Sequence, residues 1–353
     1  MNQLAIQGHQ VGGGSSVLCI GEVGLAHEGS LGQAHAYIDA VADAGFDAVK
    51  FQTHLAEFES TEREQFRVKV FPQDETRTDY WNRTAFERPQ WKELADHTRE
   101  RGLIFLSSPF SNEAVDLLME CDVAAWKVAS GEVTNRSMLQ KMAATGRPLL
   151  ISSGMSDWAE VERIVDQVQS WDADFGLFQC TSAYPCPPDQ WGLNIVSEMQ
   201  QRFGCPIGLS DHSGSIVPSL AAVTLGASML EVHIAFSKQQ FGPDSKASLD
   251  LQQAAQLIAG VRDLSKALRS PVDKDQKARD LQPLRQLFMK STVAARSLPK
   301  GHCLTHDDLA FRKPGDGIPA WDAGELVGRT LECAVTANHF FCESDLAAVP
   351  GTK

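Results

Sequence analysis

Eight short apolar runs, each ending in polar residues able to do chemistry, constrain this chain more than any other feature. Val17–Ile20 leads to Glu22, Ala48–Val49 to Lys50 and Gln52, and Leu103–Leu106 to Ser107 and Ser108. Ala124–Trp126 leads to Lys127, Ser130 and Glu132, and Leu149–Ile151 to Ser152 and Ser153. Phe175–Phe178 leads to Gln179, Ser182 and Tyr184, and Ile207–Leu209 to Ser210, Asp211 and His212. Met229–Val232 contains Glu231 and ends at His233. Amphipathic stretches of helical length separate the runs, among them Leu31–Ala44, Pro89–Arg101, Trp158–Ser170 and Leu251–Ala267. Gly45 and Gly102 stand where helix C-caps are needed. Eight strands alternating with helices predict a (β/α)8 TIM barrel with its site at the C-terminal ends of the strands.

Charge narrows the function. With 32 Lys and Arg against 45 Asp and Glu the net charge is −13, which argues against a nucleic-acid partner. An anionic substrate would need local positive charge, which gives weight to Lys50 and Lys127. The eight cysteines are scattered without a CxxC pair, so neither a zinc knuckle nor a disulfide framework is indicated, and a reducing cytoplasm is expected. No signal peptide and no stretch of about 18 apolar residues is visible, so neither secretion nor membrane insertion is expected.

Boundaries follow from composition. Residues 1–16, with Gly12–Gly14 and Ser15–Ser16, read as a flexible N-terminal segment, and 17–270 as the barrel. The charged stretch 271–290 reads as a linker, and 291–353, with short alternating segments, as a small β-rich domain. From Thr53 to Arg88 the chain is polar and aromatic and too long for a simple connection, so a cover over the site is expected there.

His212 and His233 close neighbouring strands, so their imidazoles are placed to share one divalent ion such as Mn²⁺ or Mg²⁺, with Asp211 and Glu231 available to orient the rings. The plainer alternative is two hydrogen-bonded histidines. Lys50 and Lys127, with Ser130, Ser152 and Ser210, suit a ligand carrying both phosphate and carboxylate. The alternative is structural salt bridges to Glu22 and Glu132. Those two carboxylates suit acid–base work or hydroxyl binding. The segment Tyr184-Pro185-Cys186-Pro187-Pro188 holds Tyr184 at a fixed angle, or is an ordinary loop around a packed tyrosine.

Taken in order, these motifs resemble the N-acetylneuraminate (sialic acid) synthase family. The matching segments are Gly21-Glu22-Val23-Gly24, His27-Glu28-Gly29-Ser30, Asp47-Ala48-Val49-Lys50-Phe51-Gln52 and Ser107-Ser108-Pro109-Phe110. They continue through Trp126–Glu132, Ser152-Ser153-Gly154-Met155, Cys180–Pro185, Gly208–His212, Glu231-Val232-His233 and Gly242-Pro243-Asp244. Lys300-Gly301, Leu304-Thr305 and Lys313–Gly317 resemble the SAF (antifreeze-like) domain that ends such chains. The resemblance implies condensation of phosphoenolpyruvate with an N-acylated hexosamine such as N-acetylmannosamine, releasing phosphate and forming a nine-carbon 2-keto acid. It implies that His212 and His233 bind the metal (Mn²⁺ first, Mg²⁺ or Co²⁺ as alternatives). Lys50, Lys127, Ser108, Ser130, Ser152, Ser182 and Ser210 would line the phosphoenolpyruvate site. Glu22, Gln52, Phe110, Tyr184 and Asp244 would face the sugar, and Glu132 would handle proton transfer. It further implies a domain-swapped homodimer in which Arg312 or Lys313 reaches the neighbouring barrel.

This chain departs from the family pattern at Ala26 (usually Asn), Val232 (usually Lys or Arg), Ser245 (often His) and Lys313 (usually Arg). These positions cluster on the sugar side. A legionaminic or pseudaminic acid synthase using a diacetamido-trideoxyhexose is the alternative within this chemistry; a barrel lyase or isomerase, or a non-catalytic binding barrel, are the alternatives outside it.

Overall fold

A computed structural model describes residues 3–347, which divide into two compact units at Ser270/Pro271. The first strands are β1 (Leu4–Ile6) and β2 (His9–Val11), an antiparallel hairpin. Eight parallel strands follow: β3 (Leu18–Gly24), β4 (Ala48–Thr53), β5 (Ile104–Pro109), β6 (Trp126–Val128), β7 (Leu149–Ser152), β8 (Phe175–Cys180), β9 (Ile207–Asp211) and β10 (Met229–His233). They close in sequence order, with β10 beside β3, into one barrel. Every barrel strand is buried along nearly its whole length, because helices cover its outer face and other strands its inner one; that is why each reads as an apolar run without alternation.

The helices lie within a residue or two of the expected spans: Leu31–Asp43, Arg88–Glu100, Trp158–Ser170 and Leu251–Leu268 among them. Gly45 and Gly102 adopt φ of +86° and +74°, the left-handed turn that ends a helix at little cost only for glycine. Their outer-ring core joins Tyr37, Trp91, Leu118, Met138 and Val261 to the outward faces of the strands.

Two segments expected without regular structure of their own carry some. The described part of the expected flexible segment 1–16, residues 3–16, is not a loose lead-in: Leu4, Ile6 and Val11 are buried against Leu18, Ile20, Ala48, Ile104 and Met229 near the N-terminal ends of barrel strands. The hairpin therefore plugs the floor of the barrel, removing apolar surface at both partners from water. Residues 271–290, expected as a linker, carry two short helices, Lys274–Asp280 and Gln282–Phe288, the first capped by Asp273, which accepts from the backbone of Asp275 and Gln276. Their charges mark exposed helix faces rather than unstructured chain.

The second unit carries a two-stranded antiparallel sheet, β11 (Ser291–Ala294) and β12 (Leu309–Arg312). Its small core joins Ala294, Leu298, Leu304, Leu331, Val335 and Phe341.

Candidate active site

Closure of the barrel puts the residues that end its strands on one rim. Pairing of β3 with β10 sets Glu22 opposite His233, and pairing of β3 with β4 sets Glu22 opposite Lys50. Gln52 faces Ser108 across β4 and β5, and Ser210 faces Glu231 across β9 and β10. A cavity of about 460 Å³ opens above them.

The floor of the cavity is a network of buried charge. Lys50 Nζ lies 2.7 Å from Glu22 Oε1 and 3.6 Å from Glu231 Oε2, and donates to Ser108 Oγ at 3.3 Å. Lys127 Nζ lies 3.1 Å from Glu231 Oε1 and donates to Ser152 Oγ at 2.8 Å. Burial opposes ionisation of Glu22, but His233, Lys50 and Lys127 outweigh it and hold its pKa well below the usual carboxylate range. Burial likewise opposes protonation of Lys50, and Glu22 and Glu231 overcome it, raising its pKa. Glu22 and Lys50 therefore stay charged in a dry pocket. Glu231 Oε2 accepts no hydrogen bond, so the network keeps spare capacity.

The two histidines stand beside this floor with ring centroids 5.4 Å apart. His212 Nδ1 lies 3.0 Å from the Thr181 carbonyl, an acceptor only, so this nitrogen carries the proton and Nε2 keeps its lone pair. Tyr184 packs against His212, with ring centroids 4.1 Å apart and planes tilted by 33°, and sets its hydroxyl 3.2 Å from that Nε2; burial raises the tyrosine pKa and keeps the hydroxyl a donor. His233 Nε2 is 3.4 Å from Glu22 Oε2. Imidazoles are donors that divalent ions favour, and two stand on this rim; among the described residues no group of three or more His, Cys, Asp or Glu side chains is placed to hold a metal ion. The expected orienting groups differ. Asp211 accepts from the backbone and hydroxyl of Ser213, and burial pushes its pKa up to about 6; Glu231 serves the lysines. Thr181 and Tyr184 meet the His212 ring, and Glu22 meets that of His233.

All fifteen expected barrel site residues line this one cavity: Glu22, Lys50, Gln52, Ser108 and Phe110 from the first half, Lys127, Ser130, Glu132, Ser152 and Ser182 from the middle, and Tyr184, Ser210, His212, His233 and Asp244 from the last. Gln52 donates to Glu22 Oε1 at 2.8 Å. Glu132 sits on the turn after β6, accepts from Asn135 at 3.1 Å, and has its pKa raised by burial; it pairs with neither lysine. Arg312 and Lys313 belong to the second unit, where both are exposed; Arg312 ends β12 and Lys313 Nζ lies 5.0 Å over the Phe288 ring.

The segment between β4 and the helix at Arg88 supplies residues the sequence pattern did not single out. Its short helices, Ala56–Glu59 and Arg77–Thr84, pack Ala56, Tyr80 and Trp81 around Leu25. His54 is sandwiched between Trp81 and Phe110, at 3.7 and 4.1 Å between centroids, and Glu59 lies 2.6 Å from its Nδ1. Arg67 lies 4.1 Å over the Tyr184 ring and donates to Asp244 at 2.5 Å. No period marks these residues, because the segment is irregular. Glu231, by contrast, was legible: two positions before His233, it shares the same strand face.

Known proteins carry the same plan. The NeuB family model matches residues 37–273 and the SAF domain model residues 290–347. N-acetylneuraminate-9-phosphate synthase of Homo sapiens is 35% identical over 92% of this chain and 91% of its own length. N,N'-diacetyllegionaminic acid synthase of Campylobacter jejuni is 32% identical over 88% of this chain and 95% of its own. The crystal structure of N-acetylneuraminic acid (sialic acid) synthetase from Leptospira borgpetersenii, in complex with citrate, superposes with a TM-score of 0.71 at 26% identity, over 80% of this chain and 96% of that one. The chain is a TIM-barrel synthase with a C-terminal SAF domain. It belongs to the NeuB family of sialic (nonulosonic) acid synthases.

Proposed function

We propose that the barrel cavity condenses phosphoenolpyruvate with an N-acylated hexosamine, N-acetylmannosamine or a near relative, and water, to give an N-acetylneuraminate-type 2-keto acid and inorganic phosphate. The observation that carries this reading is the floor: Lys50 and Lys127, buried to 2% and 3% exposure, beside two imidazoles. A trianionic ligand entering there meets two ammonium groups and the hydroxyls of Ser108, Ser152 and Ser210, while Ser130 and Ser182 extend the same wall. Glu22 and Glu231 hold the two lysines in position before substrate arrives, so little reorganisation accompanies the reaction.

The sugar would lie above, between Phe110, Tyr184, Gln52 and Asp244, with its open-chain aldehyde toward His212 and His233. A divalent ion held by these imidazoles, Mn²⁺ by preference and Mg²⁺ or Co²⁺ as alternatives, would supply Lewis-acid polarisation of the aldehyde oxygen. The methylene carbon of the enol ester forms the new bond to the aldehyde carbon. Water then adds to the cationic carbon left behind, and the C–O bond to phosphate breaks as the tetrahedral adduct collapses. Glu132, whose pKa burial raises, would move the proton that the aldehyde oxygen gains. Lys50 and Lys127 stabilise the charge that gathers on the carboxylate and departing phosphate.

The reading includes a cytoplasmic homodimer in which Arg312 or Lys313 of one chain completes the neighbour's barrel. Its supports are the eight free cysteines and the exposed apolar face of Leu284, Leu287, Phe288 and Met289 on the helix leading to the SAF domain. No described helix is long and apolar enough to cross a membrane. The Campylobacter relative, with the departures at Ala26, Val232 and Ser245, supports a diacetamido-trideoxyhexose as the second choice of sugar. The test is a panel of N-acylated hexosamines with phosphoenolpyruvate, read by phosphate release and product mass. Sugar-dependent phosphate release with a nine-carbon product is expected; no release with any sugar overturns the reading. A chain truncated near Lys290 should keep a folded barrel and lose most activity, and mixing it with a Lys127→Ala chain should restore part of that loss.

A further inference from the structure

The outer half of the cavity is acidic, and its cations are already engaged. Arg67 donates to Asp244 at 2.5 Å and to the Pro243 carbonyl at 3.4 Å, with its guanidinium plane occupied by Tyr184. Arg77 pairs with Glu64 at 3.3 Å and lies 4.1 Å over Trp81. Glu64 also accepts from Trp81 Nε1 at 3.1 Å. Glu59 is held by His54 and by the Leu55 backbone, and burial lowers the His54 pKa, so that ring adds no charge. Around the whole cavity six carboxylates (Glu22, Glu59, Glu64, Glu132, Glu231 and Asp244) face four cations (Lys50, Lys127, Arg67 and Arg77). Both lysines lie at the floor, where the proposed phosphoenolpyruvate would consume them, and Glu22 and Glu231 already oppose them. Apart from the divalent ion that the synthase reading assigns to the aldehyde at His212 and His233, what remains for the sugar end is two guanidiniums against Glu59, Glu64, Glu132 and Asp244.

We infer that the acceptor sugar carries no phosphate, and that the acidic rim formed by Glu59, Glu64 and Asp244 is what rejects a phosphorylated hexosamine. The inference rests on the synthase reading and sharpens it. Identity to named relatives does not decide the point, since a 9-phosphate synthase and a synthase of an unphosphorylated acid match almost equally well, at 35% and 32%. The physical reason is electrostatic. A second dianion in a cavity that has already taken phosphoenolpyruvate would face carboxylates at close range in a partly dry site, and like-charge contacts of this kind cost enough to set specificity. Binding the phosphate to Arg67 or Arg77 would also require breaking the pairs with Asp244 or Glu64 and leaving those carboxylates unpaired. An uncharged sugar keeps both pairs and finds carboxylate acceptors for its hydroxyls.

The test compares N-acetylmannosamine, its 6-phosphate and an uncharged diacetamido-trideoxyhexose with the full-length protein, phosphoenolpyruvate and Mn²⁺. At least one uncharged sugar should surpass the 6-phosphate by about 100-fold or more in kcat/KM. Glu59→Gln and Glu64→Gln should each narrow that ratio, by roughly tenfold at most, and less so at high salt. The ratio between two substrates would not move if these residues only supported the fold. A 6-phosphate used as well as or better than every uncharged sugar overturns the inference and leaves the synthase reading standing. Absence of phosphate release with all three removes that reading, and the inference with it.

Discussion

Asp308 and Asp345 in the C-terminal unit are as deeply buried as Glu22 and Glu231 in the barrel, at 0%, 6%, 3% and 2% exposure. Their surroundings differ. Asp308 accepts from Arg296, from His302 at 2.8 Å, and from the backbone and hydroxyl of Thr305. Asp345 accepts from His339 at 2.9 Å, from the backbone and thiol of Cys342, and from the Cys333 thiol. Both sit at the third position of a capped turn in the same spacing, His302-x-x-Thr305-x-x-Asp308 and His339-x-x-Cys342-x-x-Asp345. In the barrel, Glu231 Oε2 accepts nothing and the lysines face open cavity. A buried carboxylate whose acceptor capacity is used up by neighbouring turns is a structural part; one with capacity left over, facing a cavity, is arranged for a ligand.

The comparison is broken most directly at the barrel. His212→Ala/His233→Ala should lower turnover by more than about a thousandfold while circular dichroism shows a folded protein. Retained turnover in that variant would take the imidazoles out of the chemistry. Lys50→Ala and Lys127→Ala should each cost about 2–4 kcal/mol of transition-state stabilisation, roughly 30- to 1000-fold in kcat/KM for phosphoenolpyruvate. Near-normal kinetics would put the lysines on the structural side.

Asp308→Asn should do the reverse. It should destabilise the C-terminal unit by about 2–3 kcal/mol, read by hydrogen exchange at Ser291–Ala294 and Leu309–Arg312, with barrel amides unmoved. Acid should act on the same unit. Burial works against ionisation of Asp345, but the donors from His339 and Cys342 hold its pKa down at about 2, and His302 and Thr305 hold Asp308 lower than an ordinary carboxylate. A depressed folded-state pKa adds stability that is present above the unfolded value near 4 and is lost as pH falls from about 4 toward 2. Exchange protection in this unit should therefore fall over that window, and a flat profile would show that these carboxylates are not held as described. The smallest effect is expected at Arg296→Ala. Its side chain is largely exposed, so the ion pair with Asp308 should contribute under about 1 kcal/mol to the unit's stability by chemical denaturation.

The legible parts of the fold were those with a period. Parallel barrel strands are buried on both faces and announce themselves as apolar runs, and strand ends carry the site, so Lys50, Lys127, His212 and His233 were readable together with their role as neighbours. The hairpin at Leu4–Val11 was not readable, because three-residue strands beside glycines and serines look like tail; only the barrel floor tells Leu4, Ile6 and Val11 where to go. The helices at Lys274–Asp280 and Gln282–Phe288 were hidden by their charge, which resembles a linker when no buried face organises it.

The sequence by itself determined the barrel, the order of its strands and the residue types at their ends, since each depends on local burial and on a repeat that the chain carries along its length. Which of those residues meet was decided by tertiary structure alone. Closure of β10 onto β3 brings His233 to Glu22 across more than two hundred residues, and register sets Glu231, not Glu132, between the two lysines. The irregular segment after β4 places Arg67 on Tyr184 and Asp244, and Trp81 on His54, through packing that no spacing encodes. Partners of buried charge are chosen by position in space, because the desolvation they relieve is felt only once the chain has closed around them.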